Sequence, residues 1–292
     1  MKKSSPTQDL MNAIALGDLQ AVHDLVDNPL CNCKHQGSKP LREAVKLGHI
    51  EIVSELLPHS NVASYNHQAL LEAAKSGRAD IVDLLLPCID STFEPEDALN
   101  EAIILNHWDV FERLLPRMIQ SPRAIDRVVR TAAQHGRDTM LKSLLPHRPS
   151  EPCQFLKWAV RAQSCESVEI LLPVSDISDD FFAAWRWAFT PFSPNIIEAL
   201  IPYMGENVSM FNHFGLAYAL LENDIPLAET LFALSIRERV LNDVIEESQD
   251  LGRPSDQERV VQYVQQWLNE EQAQRIESTL EINGTKVLRR KL

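Results

Sequence analysis

Glycine is scarce in this chain, nine residues in 292, and neither a Gly-rich phosphate loop nor a nucleophile elbow is among its motifs. A His-Glu-x-x-His pattern is also missing, which removes the simplest helical zinc site. Basic residues are outnumbered, 28 against 41 acidic ones, and a net charge of −13 argues against nucleic acid as the main partner. No apolar run approaches the roughly 18 residues of a membrane span. Behind Lys2 and Lys3 stand Ser4, Ser5, Pro6, Thr7, Gln8 and Asp9, where a secretory signal needs an apolar core. These absences predict a protein without a membrane span, cytoplasmic when made. The five cysteines, Cys31, Cys33, Cys88, Cys153 and Cys165, are odd in number and scattered, which fits reduced thiols better than a disulfide framework.

What the chain does contain is a repeat. Ala13, Ala44, Ala73, Ala102, Ala132, Ala159, Ala188 and Ala219 are separated by 27 to 31 residues. Twelve residues after each stands a leucine, Leu25, Leu56, Leu85, Leu114, Leu144, Leu171, Leu200 and Leu231, followed by another apolar residue. In the unit from Leu41 to Pro58, Leu41, Ala44 and Val45 share one helical face, and Ile52, Val53, Leu56 and Leu57 share another. Each unit therefore reads as two short antiparallel helices, and neighbouring units bury the core between them.

The reversal between the helices favours a left-handed residue, and that slot holds Gly17, Gly48, Gly77 and Gly136, with Asn106 and Asn223 in two further copies. Gln163 and Phe192 occupy it elsewhere, so a different turn is expected in those two copies. Pro58, Pro87, Pro116, Pro146, Pro173 and Pro202 follow the leucine pair, where proline is expected to stop the second helix. The alanine allows close helix approach, and truncation within a leucine pair, Leu145→Ala for instance, is expected to cost about 2 to 5 kcal/mol.

This pattern resembles the ankyrin repeat, whose first helix opens near Thr-Pro-Leu-His-x-Ala-Ala and whose second follows Gly-His. Lys39-Pro40-Leu41-Arg42-Glu43-Ala44-Val45 with Gly48-His49 is the best match, and the resemblance covers about residues 7 to 234. In style the array is similar to divergent bacterial, host-associated ankyrin arrays of effector type. Two departures stand out. The period is about three residues short of the family's 33, and the missing residues fall where the family builds a projecting β-hairpin. The family's histidine is replaced by Arg42, Leu71, Asn100, Arg130, Lys157 and Arg186 in turn. The expected fold is an all-α, ankyrin-like solenoid of paired antiparallel helices with shortened or missing hairpins.

Residues 1–6 are expected to be disordered, residues 7–234 to form eight repeats, residues 235–282 a helical C-terminal capping unit, and residues 283–292 a basic tail. Within the cap, Arg237 to Gln249 reads as a helix, Ser255 to Glu258 as a capping box, and Val260, Val264 and Trp267 as a closing apolar face. Asn283-Gly284 reads as a helix end or a hairpin turn. Arg289, Arg290 and Lys291 read as a solvated tail or as a secretion signal.

Candidate chemistry is thin. Cys31-Asn32-Cys33-Lys34-His35 could form a metal corner but lacks an evident fourth ligand, and it reads more simply as a loop. His135 with Cys165, or His147 with Cys153, could pair as base and nucleophile, but no oxyanion hole accompanies them. No catalytic residue, metal or cofactor is expected, and a Cys/His enzyme stands as the alternative from another class.

Binding is expected on the first helices, whose outward positions the resemblance places on a concave face. One position before the alanine, Glu43, Glu72 and Glu101 form an acidic ladder, and Trp158, Trp187 and Tyr218 an aromatic one. Leu105, His135 and Arg161 lie on the same face by helical spacing. The glutamates could instead be solvated pairs with Lys46 and Lys75, and the aromatic rings could fill space left by the missing hairpins. The expected function is a noncatalytic, monomeric scaffold that holds a protein partner, acting as a bacterial effector secreted into a host cell by a route not using an N-terminal signal. The alternative within binding is a cytoplasmic adaptor or an immunity-type inhibitor of a partner enzyme.

Overall fold

Each recurring alanine lies near the end of one helix of a pair, and eight such pairs follow one another along the chain. The computed structural model describes residues 5–119, 121–148, 154–175, 179–190, 192–203, 208–234, 244 and 258–270. Residues 1–171 and 172–292 form two compact units. The first unit holds α1 (Pro6–Leu16) with α2 (Leu19–Val26), α3 (His35–Leu47) with α4 (Ile50–Leu56), and α5 (Ser64–Lys75) with α6 (Ala79–Leu85). It continues with α7 (Glu96–Ile104) and α8 (Trp108–Met118), α9 (Pro122–Gln134) and α10 (Asp138–Leu144), and α11 (Leu156–Arg161) and α12 (Cys165–Leu171). The second unit holds α13 (Asp179–Ala188) with α14 (Pro194–Leu200), α15 (Val208–Leu221) with α16 (Ile225–Leu234), and a helix over residues 258–270. No strand is present among the described residues, and the fold is all-α. In the first unit each first helix packs on the next one, from α1 on α3 through α9 on α11, as a solenoid requires.

The turn inside each pair is built on the alanine. Its carbonyl accepts a hydrogen bond from the amide five residues on, that of Asp18, His49, Arg78, His107, Arg137, Ser164, Ser193 or Asp224, at 2.8 to 3.3 Å in all eight copies. In seven copies the residue in the left-handed slot donates a second bond three residues back, as Gly48 does to Val45 at 3.0 Å. This is the Schellman arrangement, which satisfies carbonyls that the end of a helix would otherwise leave open. The slot runs from φ 58° at Gly136 to 78° at Gly48, with Asn106 and Asn223 at 63° and 61°.

Gln163 corrects the sequence reading. It too is left-handed, at φ 58°, so its copy keeps the common turn. A residue with a Cβ costs about 1 to 2 kcal/mol there, and the turn holds because Gln163 donates from both its amide and its Nε2 to the Val160 carbonyl, at 3.0 and 3.1 Å. Phe192 does depart. It forms an isolated antiparallel bridge with Phe189, yet Ser193 still donates to Ala188 at 2.9 Å.

The donor of the alanine bond also opens the second helix, where its own carbonyl accepts the first helical bond, as His49 does from Val53 at 2.9 Å. Asp18, Ser164 and Asp224 cap that helix with their side-chain oxygens. Arg78, His107 and Arg137 reach the other way. Arg78 donates through Nη1 to the Gly48 carbonyl at 2.7 Å, and His107 Nε2 lies 3.1 Å from the Lys75 carbonyl. Arg137 donates to the carbonyls of Ile103 and Ile104 at 3.0 and 2.6 Å. In each case a repeat caps the end of the preceding repeat's first helix, so the turn also ties neighbours together. In the second unit Arg259, in the helix over 258–270, donates to the Leu221 carbonyl at 3.0 Å.

Seven of the eight alanines are fully buried and Ala13 nearly so. The first member of the pair is buried from Leu56 to Leu231, while Leu57, Leu86, Leu115 and Leu145 are half-buried; Leu172 alone among the second leucines is buried together with its first. The first copy reverses this, with Val26 buried and Leu25 half-buried. The cost expected at Leu145 therefore belongs to Leu144. Proline opens a single 3-10 turn after the second helix, as in Leu57–His59, Leu86–Cys88 and Leu145–His147. Pro116 is the exception and a correction, because α8 continues through it to Met118. In the second unit Trp185 is fully buried, edge-on to Phe189 at 5.1 Å.

At two junctions the chain turns through left-handed backbone where a hairpin is missing. Gln36, Gly37 and Ser38 have φ of 46°, 64° and 57°, and Tyr65, Asn66 and His67 repeat the conformation at 51°, 55° and 60°. Three such residues in a row are costly, and contacts across the repeats hold them. The Tyr65 ring lies so close over Gly37 that a Cβ there would come within 1.9 Å of it. Arg42 donates to the Gln36 carbonyl at 3.0 Å and sits 5.0 Å over the Tyr65 ring. Buried Ser38 accepts from the Asn61 amide at 2.8 Å.

At the ends, α1 begins at Pro6 with Ser5 as its cap, inside the segment expected to be disordered. Val244, Val260 and Val264 are buried, and Trp267 lies 5.1 Å from Phe232. The rest of the expected helix Arg237 to Gln249, the start of the capping box, Asn283-Gly284 and the basic tail lie outside the described residues. Leu144→Ala is expected to lower stability by about 2 to 5 kcal/mol and Leu145→Ala by clearly less. Urea unfolding of the two variants checks the order.

Candidate partner-binding face

The first helices present three residues around each alanine, and the structure places every candidate among them. Glu43, Glu72 and Glu101 stand on α3, α5 and α7, which pack in sequence, and all three are half-buried. Glu72 accepts from Gln68 Nε2 at 2.7 Å, one turn back on its own helix. Lys75 pairs with Glu101 of the next repeat, at 3.8 Å, rather than with Glu72. The pairing expected along α5 is therefore made across repeats, and both partners are about a third exposed, so it adds at most a few tenths of a kcal/mol.

Leu105 is 45% exposed at the end of α7, the same register as exposed Leu16 and Leu47 on α1 and α3. His135 is exposed, but its Nδ1 lies 2.9 Å from the Thr131 carbonyl, which turns the ring onto its own helix. Trp158 is half-buried on α11, and the guanidinium of exposed Arg161 lies 5.9 Å over its ring, within cation–π range.

The other two aromatic candidates lie in the second unit. Trp187 is half-buried on α13. Tyr218, half-buried on α15, stacks on Phe192 with 6.1 Å between centroids and 17° between planes, and its ring is 5.6 Å from Phe189. That cluster occupies the turn where Phe192 bridges Phe189. For Tyr218 the packing matches the space-filling reading.

The two thiols of the candidate metal corner, Cys31 and Cys33, are held in the protonated form. Burial pushes the Cys31 thiol up to about 11, with Cys33 beside it adding to the shift, and burial raises Cys33 as well. Both are therefore protonated at neutral pH, whereas a metal ligand or nucleophile works as the thiolate. No cluster of three or more His, Cys, Asp or Glu suited to a metal ion occurs among the described residues. Cys153 lies outside them. No helix among them is long and apolar enough to cross a membrane.

Antiparallel helix pairs, each closed by a hydrogen bond to the recurring alanine and several capped by the next repeat, define a helical repeat protein. The family model described as ankyrin repeats, in three copies, matches residues 10–97, and that stretch of the chain is similar to ankyrin repeats. None of the curated proteins matches it. Ankyrin repeats indicate a protein–protein interaction scaffold, and the family is in general noncatalytic.

Two features of this surface escaped the sequence reading. The residue after the left-handed slot, His49, Arg78, His107 and Arg137, recurs as a long polar side chain, and that recurrence was the available signal for the caps between repeats. The left-handed turns at Gln36–Ser38 and Tyr65–His67 carry little signal, since only Gly37 and Asn66 mark them.

Two histidines report the local electrostatics with opposite signs. His23 Nδ1 donates a 2.8 Å bond to Glu55 Oε1 of the next repeat, and that contact raises its pKa. Burial lowers the pKa of His67. The His23 pair therefore stabilises below the ordinary imidazole value of about 6.5, and its contribution fades as pH rises through the higher folded value. NMR titration is expected to place His23 above and His67 below that value, with Glu55→Gln returning His23 toward it.

Proposed function

We propose that this protein holds a partner protein on the first-helix face, with Trp158 and Arg161 as anchors in the first unit and Trp187 in the second. The observation that carries the reading is Trp158, a large ring half-buried on the presenting face with a guanidinium over it. Trp and Arg are the side chains most enriched where binding energy concentrates. Tyr218 is held by Phe192, so it supports the second unit's surface more than it contacts the partner. Leu105, His135 and the glutamates Glu43, Glu72 and Glu101 form the surrounding rim, and the net charge of −13 favours a neutral or basic partner surface.

The chain acts without catalysis, as an effector passed from a bacterium into a host cell. The style of the repeats and their resemblance to host-associated arrays support that part of the reading. Fusing a translocation reporter to the chain with and without its last 20 residues tests the delivery; a signal that is absent from both removes the effector role and leaves the scaffold.

For the binding face, the Trp158→Ala, Trp187→Ala double variant is expected to keep its helical content and unfolding midpoint. Its affinity for the partner captured by the unaltered protein is expected to fall about thirtyfold, roughly 2 kcal/mol. A folded double variant with full affinity contradicts the assignment.

A further inference from the structure

Where the ankyrin finger is missing, the N-terminal ends of α5 and α7 enclose a cleft of about 230 Å³. Its floor is apolar: Leu70, Pro95 and Ala98 are buried, and Leu71, which stands where the family has its histidine, is half-buried. One wall is the pair His67 and Phe93, whose ring centroids are 3.6 Å apart. The rim is acidic, with Glu94 and Asp97 exposed beside Glu96.

The charges do not cancel. Arg127 donates to both oxygens of Glu96, with Nε to Oε1 at 2.6 Å, and Glu94 reinforces that guanidinium through space. Glu94 and Asp97 form no ion pair of their own among the described residues, so three carboxylates face one guanidinium. The positive end of the α7 dipole amounts to about half a charge and does not outweigh them. His67 adds no positive charge either. Burial lowers its pKa, and its Nδ1 is buried without a hydrogen-bond partner, as suits a neutral ring.

A site with an apolar floor, an aromatic wall and an anionic rim suits one kind of occupant, a cation on a methylene stem. We propose that the cleft receives an arginine side chain from an extended segment of a basic partner protein. The stem lies along Leu71 and Pro95, the guanidinium faces Phe93, and Glu94 and Asp97 accept its hydrogen bonds. The inference rests on the reading of the chain as a protein-binding scaffold, but it concerns a surface separate from the tryptophans.

The test uses the full chain with methyl labels on leucine and alanine, titrated with the blocked tripeptide acetyl-Ala-Arg-Ala-amide. A control peptide carries norleucine in place of arginine. Saturable shifts confined to the methyls of Leu70, Leu71 and Ala98 are expected with the arginine peptide and not with norleucine. Glu94→Gln with Asp97→Asn is expected to weaken binding about fivefold or more. The Asp109→Asn, Glu112→Gln variant carries the same change in net charge on α8 and should leave binding unaltered. Absent or unsaturable shifts, equal response to norleucine, or equal loss in both variants overturn the proposal. Because the probe is a tripeptide, its failure leaves the tryptophan face untouched, and failure of that face leaves the cleft untouched.

Discussion

The hydrogen bond from the first residue of each second helix to the carbonyl of the recurring alanine governs the rest of the structure. It ends one helix and starts the next in the space of five residues, which sets how the two helices of a pair meet. Alanine suits the position because the carbonyl, rather than the side chain, does the bonding, and a small buried side chain lets the next repeat approach. The donor residue then decides how repeats join. Where it is Asp18, Ser164 or Asp224, its side chain caps its own helix. Where it is Arg78, His107 or Arg137, it caps the preceding repeat instead. One position thus exchanges stability within a repeat for coupling between repeats, which in a solenoid is the main source of cooperativity.

The shortened period has a structural answer. Without residues for a β-hairpin, the chain reverses through left-handed turns at Gln36–Ser38 and Tyr65–His67, and the aromatic and guanidinium contacts of Tyr65, Arg42, His67 and Phe93 hold them in place. The surface left without fingers is made of helix faces and short, packed turns. A rigid surface loses less entropy on binding. It also offers defined recesses, of which the cleft beside Phe93 is one.

Much of this fold was legible in the sequence. The alanine spacing marked every helix pair, and the Gly and Asn residues of the slot predicted left-handed backbone at Gly17, Gly48, Gly77, Asn106, Gly136 and Asn223, where it occurs. Gln163 was misread because a propensity rule describes cost, and the two bonds it makes to Val160 offset that cost. Pro116 was misread for a similar reason: neighbours hold α8 past a residue that would stop an isolated helix. Which leucine of a pair is deeper depends on how the second helix is rotated, and local spacing does not resolve that at Leu144 and Leu145. At the face, spacing placed Glu43, Glu72, Glu101 and Trp158 on presenting positions. It did not reveal that Lys75 crosses to Glu101 or that Tyr218 stacks on Phe192, because both contacts join residues more than two dozen positions apart.

The most direct test of the account is amide hydrogen exchange at the eight residues that donate to the alanine carbonyls, Asp18, His49, Arg78, His107, Arg137, Ser164, Ser193 and Asp224. These amides sit at turns between helices, where exposure alone would leave them exchanging freely. The account predicts protection comparable to that of amides inside the second helices, such as Val53 and Val82. Exchange at the rate of an open loop at these positions would contradict it.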